Sequence, residues 1–130
     1  MQDRPTADEL LDAVAGFLHG DVMSNTTGRV NFHARVAGNV LQMLRREMRE
    51  AEGQLAREWA GLDGLLGPQT APASRDEMGA ALVQRNGTLA GRIRGGGFDD
   101  EGVREVLVRH LRSAVHDKLV VSNPTLAGEK

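Results

Sequence analysis

At 130 residues the chain falls within the usual size of one domain and is too short to divide into two with separate cores. Hydrophobic residues make up 40% and charged residues 26%, the balance of a packed protein rather than a disordered one. A net charge of -2 offers nucleic acid or an anionic membrane no bulk attraction, the lack of cysteine excludes disulfides and thiolate ligands, and no run approaches the ~18 apolar residues of a membrane span.

Thr6-Ala7-Asp8-Glu9 has the form of a capping box and predicts a helix over 6–22. Its stripe is Leu10, Leu11, Val14, Phe17, Leu18 and Val22, and the turn formers from Ser24 to Gly28 close it. In a second helix over 30–52, Phe32, Val36, Val40, Met43, Leu44 and Ala51 share one face, with Arg35, Asn39, Gln42, Arg46 and Arg49 opposite. The stripe runs on through Leu55, Trp59, Leu62 and Leu66. Glycine costs ~1 kcal/mol in a helix interior, so a break is expected at Gly53, with a third helix over 54–66. Two prolines mark residues 67–73 as a linker between helices.

Ser74-Arg75-Asp76-Glu77 opens a helix over 75–94, with Met78, Leu82, Leu89 and Ile93 on one face and a local bend expected at Asn86-Gly87. Gly95-Gly96-Gly97 supplies its C-cap. Asp99, Asp100 and Glu101 place negative charge at the start of a last helix over 100–122, whose apolar positions are Val103, Leu107, Leu111, Ala114, Val115 and Val121. Pro124 stops it. With aromatics at only 3%, the core must come from aliphatic side chains, which favours helices. The expected fold is all-α: a compact bundle of about five helices without a sheet, in a single domain over residues 1–130. Acidic residues from Asp3 onward do not make a signal peptide, so the expected location is cytoplasmic.

The segments QDRPTADELLDAV, FHARVAGNVL, RIRGGGFDD and KLVVSNP resemble a bacterial family of small helical proteins of unknown function. The likeness spans nearly the whole chain and is weakest from Glu50 to Ser74. Genes of this family typically lie beside an acyl-CoA dehydrogenase and a kinase resembling aminoglycoside phosphotransferases. The resemblance therefore implies a helical fold and two candidate partners, but brings no catalytic residues with it. The positions it draws attention to are Arg4, Pro5, His33, Arg35, Asn39, Arg92, Lys118 and Asn123.

No reactive motif stands out. GRIRGGG lacks the preceding strand and the G-K-[ST] of a phosphate loop and reads as a helix end. His19, His33, His110 and His116 include no pair at the i, i+3 or i+4 spacing that would bind a metal from one helical face, and no serine sits in a nucleophile elbow. No metal or cofactor is expected. The informative positions are polar ones on apolar faces: His33 and Glu47 in the second helix and Lys118 in the last. A buried ionised group needs a partner, so Lys118 and Glu47 are expected to meet, with His33 and Asn123 nearby.

The expected function is that of a non-enzymatic accessory or interaction protein, a homodimer partnering a phosphotransferase-like kinase or an acyl-CoA dehydrogenase, with neither nucleic acid nor membrane as a partner. The alternative is a small-ligand module that recognises an anionic metabolite such as an acyl-CoA or a phosphorylated compound through His33, Arg35, Asn39, Glu47, Arg92, Lys118 and Asn123, with Arg46 adding charge. A third possibility is a small enzyme using His33 or Glu47 as a general base.

Overall fold

Residues 3–128 are described by the structure, a computed structural model. They form α1 (Ala7–Phe17), a π-helical segment (Leu18–Val22) that continues it, α2 (Gly28–Leu66), α3 (Arg75–Arg94) and α4 (Glu101–Ser122). There is no strand among the described residues. The chain resolves into two compact units, residues 1–49 and 50–130, with α2 contributing to both.

The fold is all-helical as expected, but with four α-helices rather than about five, because α2 passes through Gly53 without a break. One glycine weighs little against the burial of Ala51, Leu55 and Trp59 on either side of it. Its bare Cα also makes room for Arg57, whose guanidinium passes 3.3 Å from where a Cβ would stand and pairs with Asp117 at 2.9 Å. Likewise α3 runs uninterrupted through Asn86-Gly87, where Asn86 Nδ2 donates to Glu58 at 2.7 Å.

The helix ends follow local chemistry. At Thr6 both halves of the capping box are present, at 2.7 and 3.2 Å. Ser74 and Asp100 cap α3 and α4. The α3 C-terminus is a Schellman turn: Gly97 N–H reaches Arg92 O, Gly96 N–H reaches Ile93 O, and Gly96 takes a φ of 80° that favours glycine.

In residues 1–49 the first helix docks on α2 through small and charged residues. Ala15, Ala34 and Gly38 are buried, and the His19 ring lies on Gly38, where any Cβ would overlap it. Arg45 grips both oxygens of Asp8 at 2.8 Å and also bonds Asp12. The apolar stripes of both helices consequently point elsewhere: Leu10, Val14 and Phe17 on α1, and Phe32, Val36, Val40, Met43 and Leu44 on α2, are all exposed.

In residues 50–130 the core is Trp59, Leu62, Leu82, Leu89, Phe98 and Leu107. Arg85 of α3, only 5% exposed, enters this core with its guanidinium 4.4 Å above the Trp59 ring. It donates to Asp63 at 2.8 Å and to Gly67 O at 3.0 Å, while its Nε is buried without an acceptor. Asp63 also accepts the Gln69 N–H, and Trp59 Nε1 donates to Gln69 O, so one knot fixes the end of α2, the start of the proline segment and α3. On α4 the docked residues are Leu107, His110, Asp117 and Val121. His110 lies on Gly61, and Gln54 donates to the Asp117 carbonyl. The docked face is thus rotated from the apolar stripe, which leaves Leu111, Val115 and Lys118 exposed.

Two stability measurements test this packing. Arg85→Met should destabilise by about 3 kcal/mol in urea unfolding, below the full penalty for an orphaned buried charge because Asp63 keeps some access to water; Arg85→Lys, lacking the planar fork, should recover only part of that. Gly61→Ala should cost about 1–3 kcal/mol from overpacking against His110, yet in a His110→Ala background it should be neutral or stabilising. Equal costs in both backgrounds would show that the ring and the glycine do not meet.

Candidate functional site

The outward face of α2 in residues 1–49 carries an exposed apolar stripe bordered by polar side chains. Beside its apolar stripe is an open depression of about 470 Å³ lined by Leu18, Val22, Arg29, Val30, His33, Ala34 and Ala37. Helical spacing explains the lining: Arg29 and His33 stand one turn apart at the rim, with Val30, Ala34 and Ala37 beside them. Arg29 Nε donates to His33 Nε2 at 3.4 Å, and the His33 ring meets Phe32 edge to face with centroids 5.5 Å apart. A cation and an imidazole over an apolar floor suit an apolar group with an anionic end. With its Nε2 lone pair turned to a guanidinium, His33 is poorly placed to take a proton from a substrate.

The seven sequence-derived site residues divide between the units. His33, Arg35, Asn39 and Glu47 lie on α2 within residues 1–49. Arg35 and Asn39 are exposed side by side on one edge of the stripe, and Glu47 is half-buried at its far end. The Arg35 carbonyl is the acceptor within reach of His19 Nε2, at 3.4 Å.

Arg92, Lys118 and Asn123 lie in residues 50–130, where all three are exposed and no hydrogen bond or ion pair joins them among the described residues. Asn123 ends α4, its N–H donating to Leu119 O and its Oδ1 accepting from Leu126 N–H. Arg92 and Lys118 lend backbone carbonyls to local turns. The burial expected of Lys118 is not found, since α4 docks through the neighbouring His110 and Asp117 edge.

The buried polar groups, Arg85 and His110, are not among the site residues expected from the sequence. Arg85 falls within the Met78, Leu82, Leu89, Ile93 face of α3, a signal that was available. His110 and Asp117 share an edge of α4 with Leu107 and Val121, which hydrophobic periodicity alone assigns to its flank. No group of three or more His, Asp or Glu side chains that could hold a metal occurs among the described residues, and no described helix is long and apolar enough to cross a membrane.

Two pKa directions have consequences for stability. Burial holds His110 below its ordinary 6.5, only partly countered by Glu58. A depressed histidine favours the folded state above 6.5 and loses that contribution as pH falls. Urea midpoints should therefore drop on going from pH 7.5 to 5.5, and His110→Leu should flatten the dependence over this range. The hydrogen bond from Arg45 holds Asp8 below its ordinary 3.8, so that contribution is complete above 3.8 and lost as pH falls below it. The melting-temperature difference between wild type and Arg45→Met should accordingly narrow in strong acid.

Comparison with curated proteins and with solved structures yields no match. Residues 24–126, from the turn before α2 to beyond the end of α4, match one family profile. That span takes in every element except α1 and the π-helical segment, so the chain belongs to the family described as a domain of unknown function, DUF6285.

Proposed function

We propose that this protein is a non-enzymatic accessory that works by binding other protein chains through residues 1–49. The observation behind this reading is the outward orientation of the apolar stripes: Phe17 on α1 is 55% exposed and Phe32 on α2 57%, together with Leu10, Val14, Val36 and Val40. Rows of apolar side chains left open on a folded domain mark an interaction site. Arg45, Arg57 and Arg85, with the acids they hold, are engaged in joining helices rather than gathered around a cavity. The phosphotransferase-like kinase and the acyl-CoA dehydrogenase implied by the family resemblance are the first partners to try. Phe17→Asp and Val14→Asp should leave the melting temperature nearly unchanged, because both positions are already solvated, yet abolish co-purification with such a partner. If the variants still bind it, the α1 stripe is not the contact.

A second reading has its own observation, the depression at Arg29 and His33 with its apolar floor. It fits an amphiphilic anion such as an acyl-CoA, held by the Arg29 guanidinium. A ligand at 100 times its dissociation constant stabilises by ~2.7 kcal/mol, so thermal-shift titration with CoA esters should raise the melting temperature of wild type and not of Arg29→Ala. No shift in either protein would end this reading.

A further inference from the structure

The outward face of α2 is complementary to itself. Arg29, His33, Val36, Val40, Met43 and Glu47 follow one another at alternating spacings of four and three residues, the seam of a coiled coil. Arg29 and Glu47 are 18 residues apart, about five turns and about 27 Å, so they share one azimuth at opposite ends of the seam. Val36, Val40 and Met43 between them are 42%, 48% and 38% exposed. The opposite side of α2, carrying Ala34, Gly38 and Arg45, is where α1 docks, so within this unit the seam faces away from the packed side.

Alignment decides what the seam can accept. Laid parallel on a second copy, it would set Arg29 against Arg29 and Glu47 against Glu47. Laid antiparallel about a two-fold axis near residue 38, every position meets a complement: arginine meets glutamate at both ends, His33 meets methionine, and Val36 meets valine at the centre. Like charges in contact are costly, whereas opposite charges at the ends of an apolar seam fix its register.

Resting on the reading of residues 1–49 as an interaction surface, we propose that α2 pairs antiparallel with α2 of a second copy, with Arg29 of each chain against Glu47 of the partner subunit. Phe32 and Leu44, on either edge of the seam, widen the apolar contact. A slip of one turn separates both end pairs, setting Arg29 opposite Met43 in one direction and opposite Ala51 in the other, so the end pairs favour a single register.

Light scattering on the full chain should show a dimer for wild type. Arg29→Glu and Glu47→Arg should each weaken it by roughly tenfold or more, because the two-fold axis repeats each like-charge contact. Arg29→Glu with Glu47→Arg in one chain should restore dimerisation. Circular dichroism should show all variants equally helical. The chain has no cysteine, so engineered thiols report orientation cleanly: under mild oxidation, Val36→Cys and Val40→Cys should cross-link to each other in a mixture far more than either does to itself. Preferential self-linking of Val36→Cys, or a dimer indifferent to both charge reversals, would overturn the antiparallel seam. A wild type that stays monomeric at high concentration would overturn self-pairing. In that case a kinase or dehydrogenase partner lost on Val36→Asp would leave the interaction reading standing, and its retention in Phe17→Asp and Val36→Asp alike would remove that reading too.

Discussion

A histidine ring laid on a glycine sets how closely the helices of each unit approach. His19 covers Gly38 in residues 1–49 and His110 covers Gly61 in residues 50–130; at both glycines a single added carbon would overlap the ring. Around each ring the contact is completed by small or aliphatic residues. The docking faces are made of Ala15 and Ala34, or of Leu62 and Leu107 flanked by polar groups that reach around the contact. Arg45 on Asp8 and Arg57 on Asp117 are such reaching pairs, each spanning from α2 to another helix of its own unit. Neither is fully buried, so their value lies in orientation more than in energy.

The Arg85 knot follows a different logic. A guanidinium nearly removed from water must be met on several sides, and here the indole face, one carboxylate and one backbone carbonyl do so. Because Asp63, Gly67 and Gln69 all belong to the same few residues, this one cation fixes where α2 ends and how the chain turns toward α3. Gly67, at a φ of 97°, allows that turn.

Features that depend only on neighbouring residues were legible in the sequence. The Thr6 and Ser74 caps, the Gly95–Gly97 helix end and the all-helical class all follow from local rules. The expected break at Gly53 did not, because a local penalty of about 1 kcal/mol is outweighed by packing on both sides. Hydrophobic periodicity located the stripes of α1, α2 and α4 but not which face would dock. It gives no credit to alanine, glycine or a paired arginine, and those residues form the contacts in residues 1–49. The same blind spot placed Lys118 inside and overlooked His110. Of the candidate site residues, His33 lines the depression beside α2, and the partner that orients it there, Arg29, is one helical turn away on the same seam.

Trp59 is the chain's only tryptophan, and there is no tyrosine. Its indole lies in the core of residues 50–130, with a cation over the ring and its N–H bound to a carbonyl. Near-ultraviolet fluorescence is therefore a one-sided reporter. It follows the emission of a single indole as the Arg85 knot loosens, while residues 1–49 contain neither tryptophan nor tyrosine to report on their own packing. A fluorescence-monitored melt consequently carries its signal from residues 50–130, and far-ultraviolet dichroism is needed to follow the helices of residues 1–49 directly.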